Sequence, residues 1–181
     1  MLSSGKVKVL QGELDRVCSA IADGNVSERC DAARVDDGLK TIVQAVNGII
    51  EAFTNPLNAL VVDAGILVDA AVQGKLATRA DATKHQGHYR KIVEGVNQTL
   101  DAVIGPLNVA AEYVDRISKG DIPPKITDSY NGDFNEIKNN LNQCIDAVNM
   151  LVTDAGMLSK AAVEGKLATR ADASKHQGDF Q

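Results

Sequence analysis

A chain of 181 residues with a formal net charge of −5 and 44% apolar residues could bury an ordinary core, yet aromatics make up only 3% of it and tryptophan is absent. Alanine, valine, leucine and isoleucine supply the apolar surface, which suits seams between helices with small side chains rather than a bulky globular core. The acidic balance, without a basic stripe interleaved with aromatics, argues against nucleic acid as a partner.

In chain order, Met1 to Lys6 are expected to fray, and Leu10, Leu14, Val17 and Ile21 then step at helical spacing along one face. Gly24 is placed to end that helix, since a residue without Cβ accepts the left-handed turn. A connector of about 13 residues with Val26, Cys30 and Val35 follows, and from Gly38 a second stripe runs Leu39, Ile42, Val46, Ile49, Phe53. The second repeat has Leu60, Ala64, Leu67 and Ala71 before Gly74, then Leu76 and Ala80 in its connector, then Tyr89, Ile92, Val96, Thr99 and Val103. The third has Ala110, Tyr113 and Ile117 before Gly120, then Ile122 and Ile126, then Phe134, Ile137, Leu141, Cys144 and Val148. The fourth has Leu151, Ala155, Leu158 and Ala162 before Gly165, then Leu167 and Ala171, and is cut short where its second helix should begin at Phe180.

Residues 74–87 recur almost unchanged at 165–178, and the leading glycines 24, 74, 120 and 165 are spaced by 50, 46 and 45 residues. Four helix–connector–helix repeats are therefore expected, over 7–55, 56–105, 106–149 and 150–181. Pro56 and Pro106 mark the first two junctions, where a lost hydrogen bond costing roughly 3 kcal/mol predicts a kink or break. The third junction, around Val148 to Leu151, has neither glycine nor proline and is expected to be straight.

Two short helices with one apolar stripe each cannot cover both stripes, whereas two chains side by side can, as a parallel four-helix bundle. About 13 connector residues reach roughly 40 Å when extended, and a helix of about 15 residues is only about 22 Å long. Both helices of a repeat can thus point the same way, with Ile122 and Ile126 pinning the connector to the bundle. The expected class is all-α: tandem parallel four-helix coiled-coil bundles built as a homodimer.

A glycine, an apolar residue two places on and another four beyond that, between heptad-patterned helices, resembles the HAMP signalling module. Gly120, Ile122 and Ile126 carry the resemblance most fully, followed by Gly74 with Leu76 and Ala80, Gly165 with Leu167 and Ala171, and more loosely Gly24 with Val26 and Cys30. The family's apolar-Asn pair in the second helix is matched by Val46-Asn47, Val96-Asn97 and Leu141-Asn142, and its prolines near the start of the first helix by Pro56 and Pro106. Where the family usually has a glutamate, two residues before the glycine that opens the second helix, this chain has Asp36, His85, Tyr130 and His176. The resemblance implies a tandem HAMP array in a bacterial chemoreceptor (a methyl-accepting chemotaxis protein) or next in a sensor histidine kinase. It implies a cytoplasmic segment whose partners are a second copy and the adjoining sensor and output domains.

The residues that invite a chemical reading have simpler ones. His85 and His88 have metal-pair spacing but no third ligand, and read as solvated connector residues. Gly74-Lys75 and Gly165-Lys166 lack the rest of a phosphate loop and the strand before it. Arg79 with Asp81, and Arg170 with Asp172, read as surface charges, Cys144 as a small core residue, and Asn47, Asn97 and Asn142 as a solvated flank or a polar register pin. The odd set of Cys18, Cys30 and Cys144 fits a reducing compartment. With no signal peptide and no apolar run near roughly 18 residues, no membrane insertion by this segment is expected. No enzyme, cofactor or metal is read.

The function expected is a conformational relay. Its core would be Ala64, Ala71, Val96, Tyr113, Ile117, Leu141 and Ala162, in which alanines alternate with larger residues. Burying a leucine is worth about 1.5–3 kcal/mol and an alanine far less, so two packings can lie close in energy. A passive dimerisation rod is the competing reading, and would gain nothing from alternating kinked and straight junctions. A small-molecule sensor would need convergent polar groups that the stripes do not supply.

Overall fold

A computed structural model describes residues 4–181, and its described residues are helical without strands. Four helices, α1 (Ser4–Ala22), α2 (Lys40–Val72), α3 (Gly87–Ser118) and α4 (Gly132–Val163), alternate with connectors that carry short 3-10 turns at Asp37–Leu39, Ala82–Lys84 and Ala173–Lys175. Contacts divide the chain at Thr99/Leu100 into two compact bodies.

Helices α1 to α4 each end on the same device. Gly24, Gly74, Gly120 and Gly165 take φ of +89°, +70°, +80° and +72°. At each end the glycine N–H donates to the carbonyl three residues back, and the next N–H donates to the carbonyl five back, as from Asn25 to Ala20 (2.8 Å) and Lys75 to Ala70 (2.8 Å). This paired pattern satisfies carbonyls that a helix end would leave bare.

Sequence and structure part at three places. Ser4–Lys6 are helical, with Lys6 Nζ 2.6 Å from Asp36, so fraying is not observed there, and Met1–Ser3 lie outside the described residues. Helices α2 and α3 run uninterrupted through Pro56 and Pro106, so no break occurs at either junction. In α2 both flanks of the proline are fixed to connectors, through Asn47 before it and Asp63 after it, which offsets the one lost hydrogen bond. Helix α2 with its leading turn, Asp37–Val72, is also long and apolar enough by length and composition to cross a membrane, contrary to the expectation that no such run exists.

In the first body, Val17 of α1 packs with Cys30 and Val35 of the connector and Leu39 and Val43 of α2, and Leu10, Leu14, Ile21, Val46 and Ile50 close around them. Lys6 meets Asp36 at one end, while Arg29, past the far end of α1, donates to Thr54 Oγ1 (2.9 Å) well along α2. The connector therefore runs back along α1, and α1 and the first half of α2 point the same way. In the second body Ile104, Pro123, Ile126 and Ile145 are buried.

Candidate functional site

The residues that organise each repeat are the asparagines of the second helices. Asn47 Oδ1 accepts from Cys30 N–H (2.9 Å) and its Nδ2 donates to Cys30 C=O (2.9 Å). Asn97 holds Ala80 in the same way (3.1 and 2.8 Å), and Asn142 holds Ile126 (2.8 and 3.0 Å). A primary amide has one acceptor and two donors, so it can satisfy both main-chain groups of an extended residue at once. Of the two expectations for these asparagines the solvated flank fails: they are half-buried and clamp the connector to its own second helix.

Arginine and aspartate finish the connector. Arg29 Nη1 donates to the carbonyls of Val26 and Glu28, Arg79 Nη1 to those of Leu76 and Thr78, and Arg170 Nη1 to those of Leu167 and Thr169, all at 2.7–2.9 Å. Asp81 accepts from Thr83 N–H and Oγ1, and Asp172 from Ser174 N–H and Oγ, and these bonds hold both carboxyls below the usual aspartate range. Residues read from sequence as surface charges thus shape the connector turn.

The histidines are a second correction. His85 is 5% and His176 8% exposed, not solvated, and Nε2 of each lies against an aspartate of the first helix, Asp63 (2.6 Å) and Asp154 (2.8 Å). His88 is exposed, and among the described residues no group of acidic, histidine or cysteine side chains has metal-binding geometry. In the first repeat the acid on α1 is Glu13, buried and bonded by Arg16, the Asp31 N–H and Arg34, which together lower its pKa to about 2. Burial raises the neighbouring Cys30 thiol.

The other sequence-marked residues divide by face. Ile126 is buried, Ala80, Val26 and Ile122 are half-buried, and Leu76, Leu167 and Ala171 are exposed, so the residue two places after the glycine does not pin every connector. Tyr113, Ile117 and Leu141 are half-buried, whereas Ala64, Ala71, Val96 and Ala162 are open within one chain. The alanines that the chain itself covers are their neighbours, Ala70 and Ala161. Cys144 is exposed and Ile145 beside it is buried, because the face turned to the connector lies one step round from the marked stripe. Val43 and Val93 are likewise buried while Ile42 and Ile92 are open. Each second helix thus has two apolar faces, one used within the chain and one left open. In the second repeat Leu60, Ala64 and Leu67 of α2 and Ile92 and Val96 of α3 flank an open apolar groove of about 300 Å³ beside Ala80.

Residues 84–150 match the family model described as the HAMP domain. The chain contains a HAMP domain. The matched stretch begins at the end of the second connector, takes in α3 and the Asn142–Ile126 clamp, and ends within α4. HAMP domains relay signals in chemoreceptors and sensor kinases, typically as dimeric modules in the cytoplasmic part of membrane receptors, linked to sensor and output domains. No curated protein matches the chain.

Proposed function

We propose that the whole chain is a HAMP array, the relay segment of a bacterial chemoreceptor of the methyl-accepting class, working as a parallel homodimer between sensor and output domains. The observation that carries this reading is the asparagine clamp. It recurs with the same two bonds at Asn142 and Ile126 within the matched residues, at Asn97 and Ala80 across their start, and at Asn47 and Cys30 outside them.

The open stripes support a second copy of the chain as partner, since an identical chain offers identical stripes to fill the groove between α2 and α3. Alanines at 64, 71 and 162 leave that seam thin, so two packings can lie within a few kcal/mol of one another. In this reading the array acts by conformation, and the connector groups Arg79, Asp81 and His85 are engaged in turns and clasps. Helix α2 belongs against its connectors and partner rather than in lipid. Asn47 and Asp63 bond connector groups on both of its halves, and such polar groups are costly in hydrocarbon.

A passive rod draws support from the unbroken helices at Pro56 and Pro106, and a sensor-kinase relay shares every feature above. The test joins the chain between a sensor of known stimulus and a chemoreceptor output domain, with a kinase core as the parallel construction. Ala71→Leu with Ala162→Leu is expected to lock the output in one state while the dimer persists in sedimentation. A double variant that still responds normally overturns the bistable seam, and an unmutated chimera that transmits in neither construction leaves the rod.

A further inference from the structure

Two repeats bond the same two positions to each other, one on the first helix eleven residues before the connector glycine, the other two residues before the glycine that opens the second helix. In repeats two and four these are Asp63 with His85 and Asp154 with His176, buried pairs at 2.6 and 2.8 Å. Against an ionised carboxylate, which only accepts, the donor in each pair is the Nε2–H. In repeat two the connector is thus tied to both helices, through His85 to Asp63 of the first and through Ala80 to Asn97 of the second. Repeat one reaches the same end by other groups, with Glu13 of α1 bonded to Arg34 and the Asp31 N–H of its connector.

Repeat three keeps only half of this. Asn142 clamps Ile126, but Val109 and Tyr130 occupy the other two positions and line one small apolar cavity with Pro106 and Phe134. Among the described residues no side-chain hydrogen bond or ion pair joins 106–115 to 122–131: Asp115 pairs with Lys119 and Arg116 with Asp121 at the helix cap, and Lys125 pairs with Asp146 of α4. Short bonds to a carboxylate are directional and resist sliding. Apolar contact is not directional, and persists when one surface shifts along another.

We propose that the His–Asp clasps make repeats two and four stiff couplings between first helix and connector, and that repeat three, with Val109 and Tyr130 in their place, is where a first helix shifts against its connector. His85 and His176 are positioning residues in this scheme. The inference rests on the relay reading for its purpose, but the difference in stiffness is measured without any output.

The experiment is methyl relaxation dispersion on the unmutated 181-residue chain, combined with amide exchange on variants. Microsecond-to-millisecond exchange is expected at Val109 and Val114, with Leu60 and Leu67 quiet. His85→Leu should speed exchange of the amides at 83–85 about tenfold, while the matching amides at 174–176 stay as they were. His85→Gln, whose amide can donate to Asp63, should recover part of the protection, and Val109→Asp with Tyr130→His should quiet repeat three. Equal exchange in repeats two and three of the unmutated chain overturns the proposal, and so does a folded His85→Leu chain with unchanged protection. If that variant does not fold, the unmutated comparison decides alone. A chimera that transmits nothing while the mobility difference persists sinks the relay and leaves the clasps. A responsive chimera with uniform mobility does the reverse.

Discussion

In repeat two Asn97 holds the backbone of Ala80 beside an open apolar groove of about 300 Å³, whereas in repeat three Asn142 holds Ile126, which is buried beside a cavity of only about 10 Å³, too small for a ligand. The clamp is the same and the filling is opposite. Because the amide addresses only main-chain groups, connector register does not depend on the clamped side chain, which is free to set how tightly each repeat packs. Cys30, 4% exposed, is a third filling on the same clamp.

The largest break in this comparison is Ile126→Ala, which should turn repeat three into a likeness of repeat two. Loss of a buried isoleucine to alanine is expected to cost about 2–5 kcal/mol. A urea titration of the second body should show it, with the Asn142 clamp retained in the amide shifts of residue 126. Asn142→Ala attacks the shared feature instead. It leaves the N–H and C=O of residue 126 without their partner, at about 2 kcal/mol, since the site is only part-buried. If Asn142→Ala proves neutral while Ile126→Ala is costly, packing and not the clamp sets the register. In the other direction Ala80→Val narrows the groove of repeat two and should stabilise it by less than about 1 kcal/mol, read as a small rise in the urea midpoint.

Much of this frame is legible in the sequence because it rests on local signals. Helix ends follow from glycine at the left-handed turn, and the four glycines at near-constant spacing mark four equivalent ends before any contact is known. The all-helical class follows from stripes at helical spacing. Less legible is which face each stripe serves. Ile42 and Val43, Ile92 and Val93, and Cys144 and Ile145 are adjacent apolar pairs, and periodicity alone does not tell the face turned to the connector from the open one. The clamp and the clasp span 16 to 22 residues, beyond any local rule. Their trace in the sequence is recurrence: an asparagine at one place in three second helices, and an aspartate at 63 and 154 accompanying a histidine at 85 and 176. Proline misleads for the opposite reason, since its local cost at Pro56 is offset by contacts far along the chain.

Acid sharpens the comparison from repeat one, with the smallest expected effect. Glu13 is held at about 2 against an ordinary 4.5, first by the Arg16 side chain, then by the Asp31 N–H and Arg34. A depressed carboxylate contributes its full stabilisation above its unfolded value and loses it as pH falls through the folded one. Repeat one should therefore weaken between about pH 4.5 and 2. Arg34 is largely exposed, and solvent screening keeps the effect modest. The apolar pair of Val109 and Tyr130 in repeat three has no carboxylate to protonate, so its contact should survive the same titration. Denaturant midpoints of the parent and Glu13→Gln, followed from pH 7 to pH 2, should converge at the acid end because protonation already removes what the substitution removes. Parallel curves would mean that Glu13 acts through packing, and that the Arg16 and Arg34 bonds to it carry no pH-dependent stability.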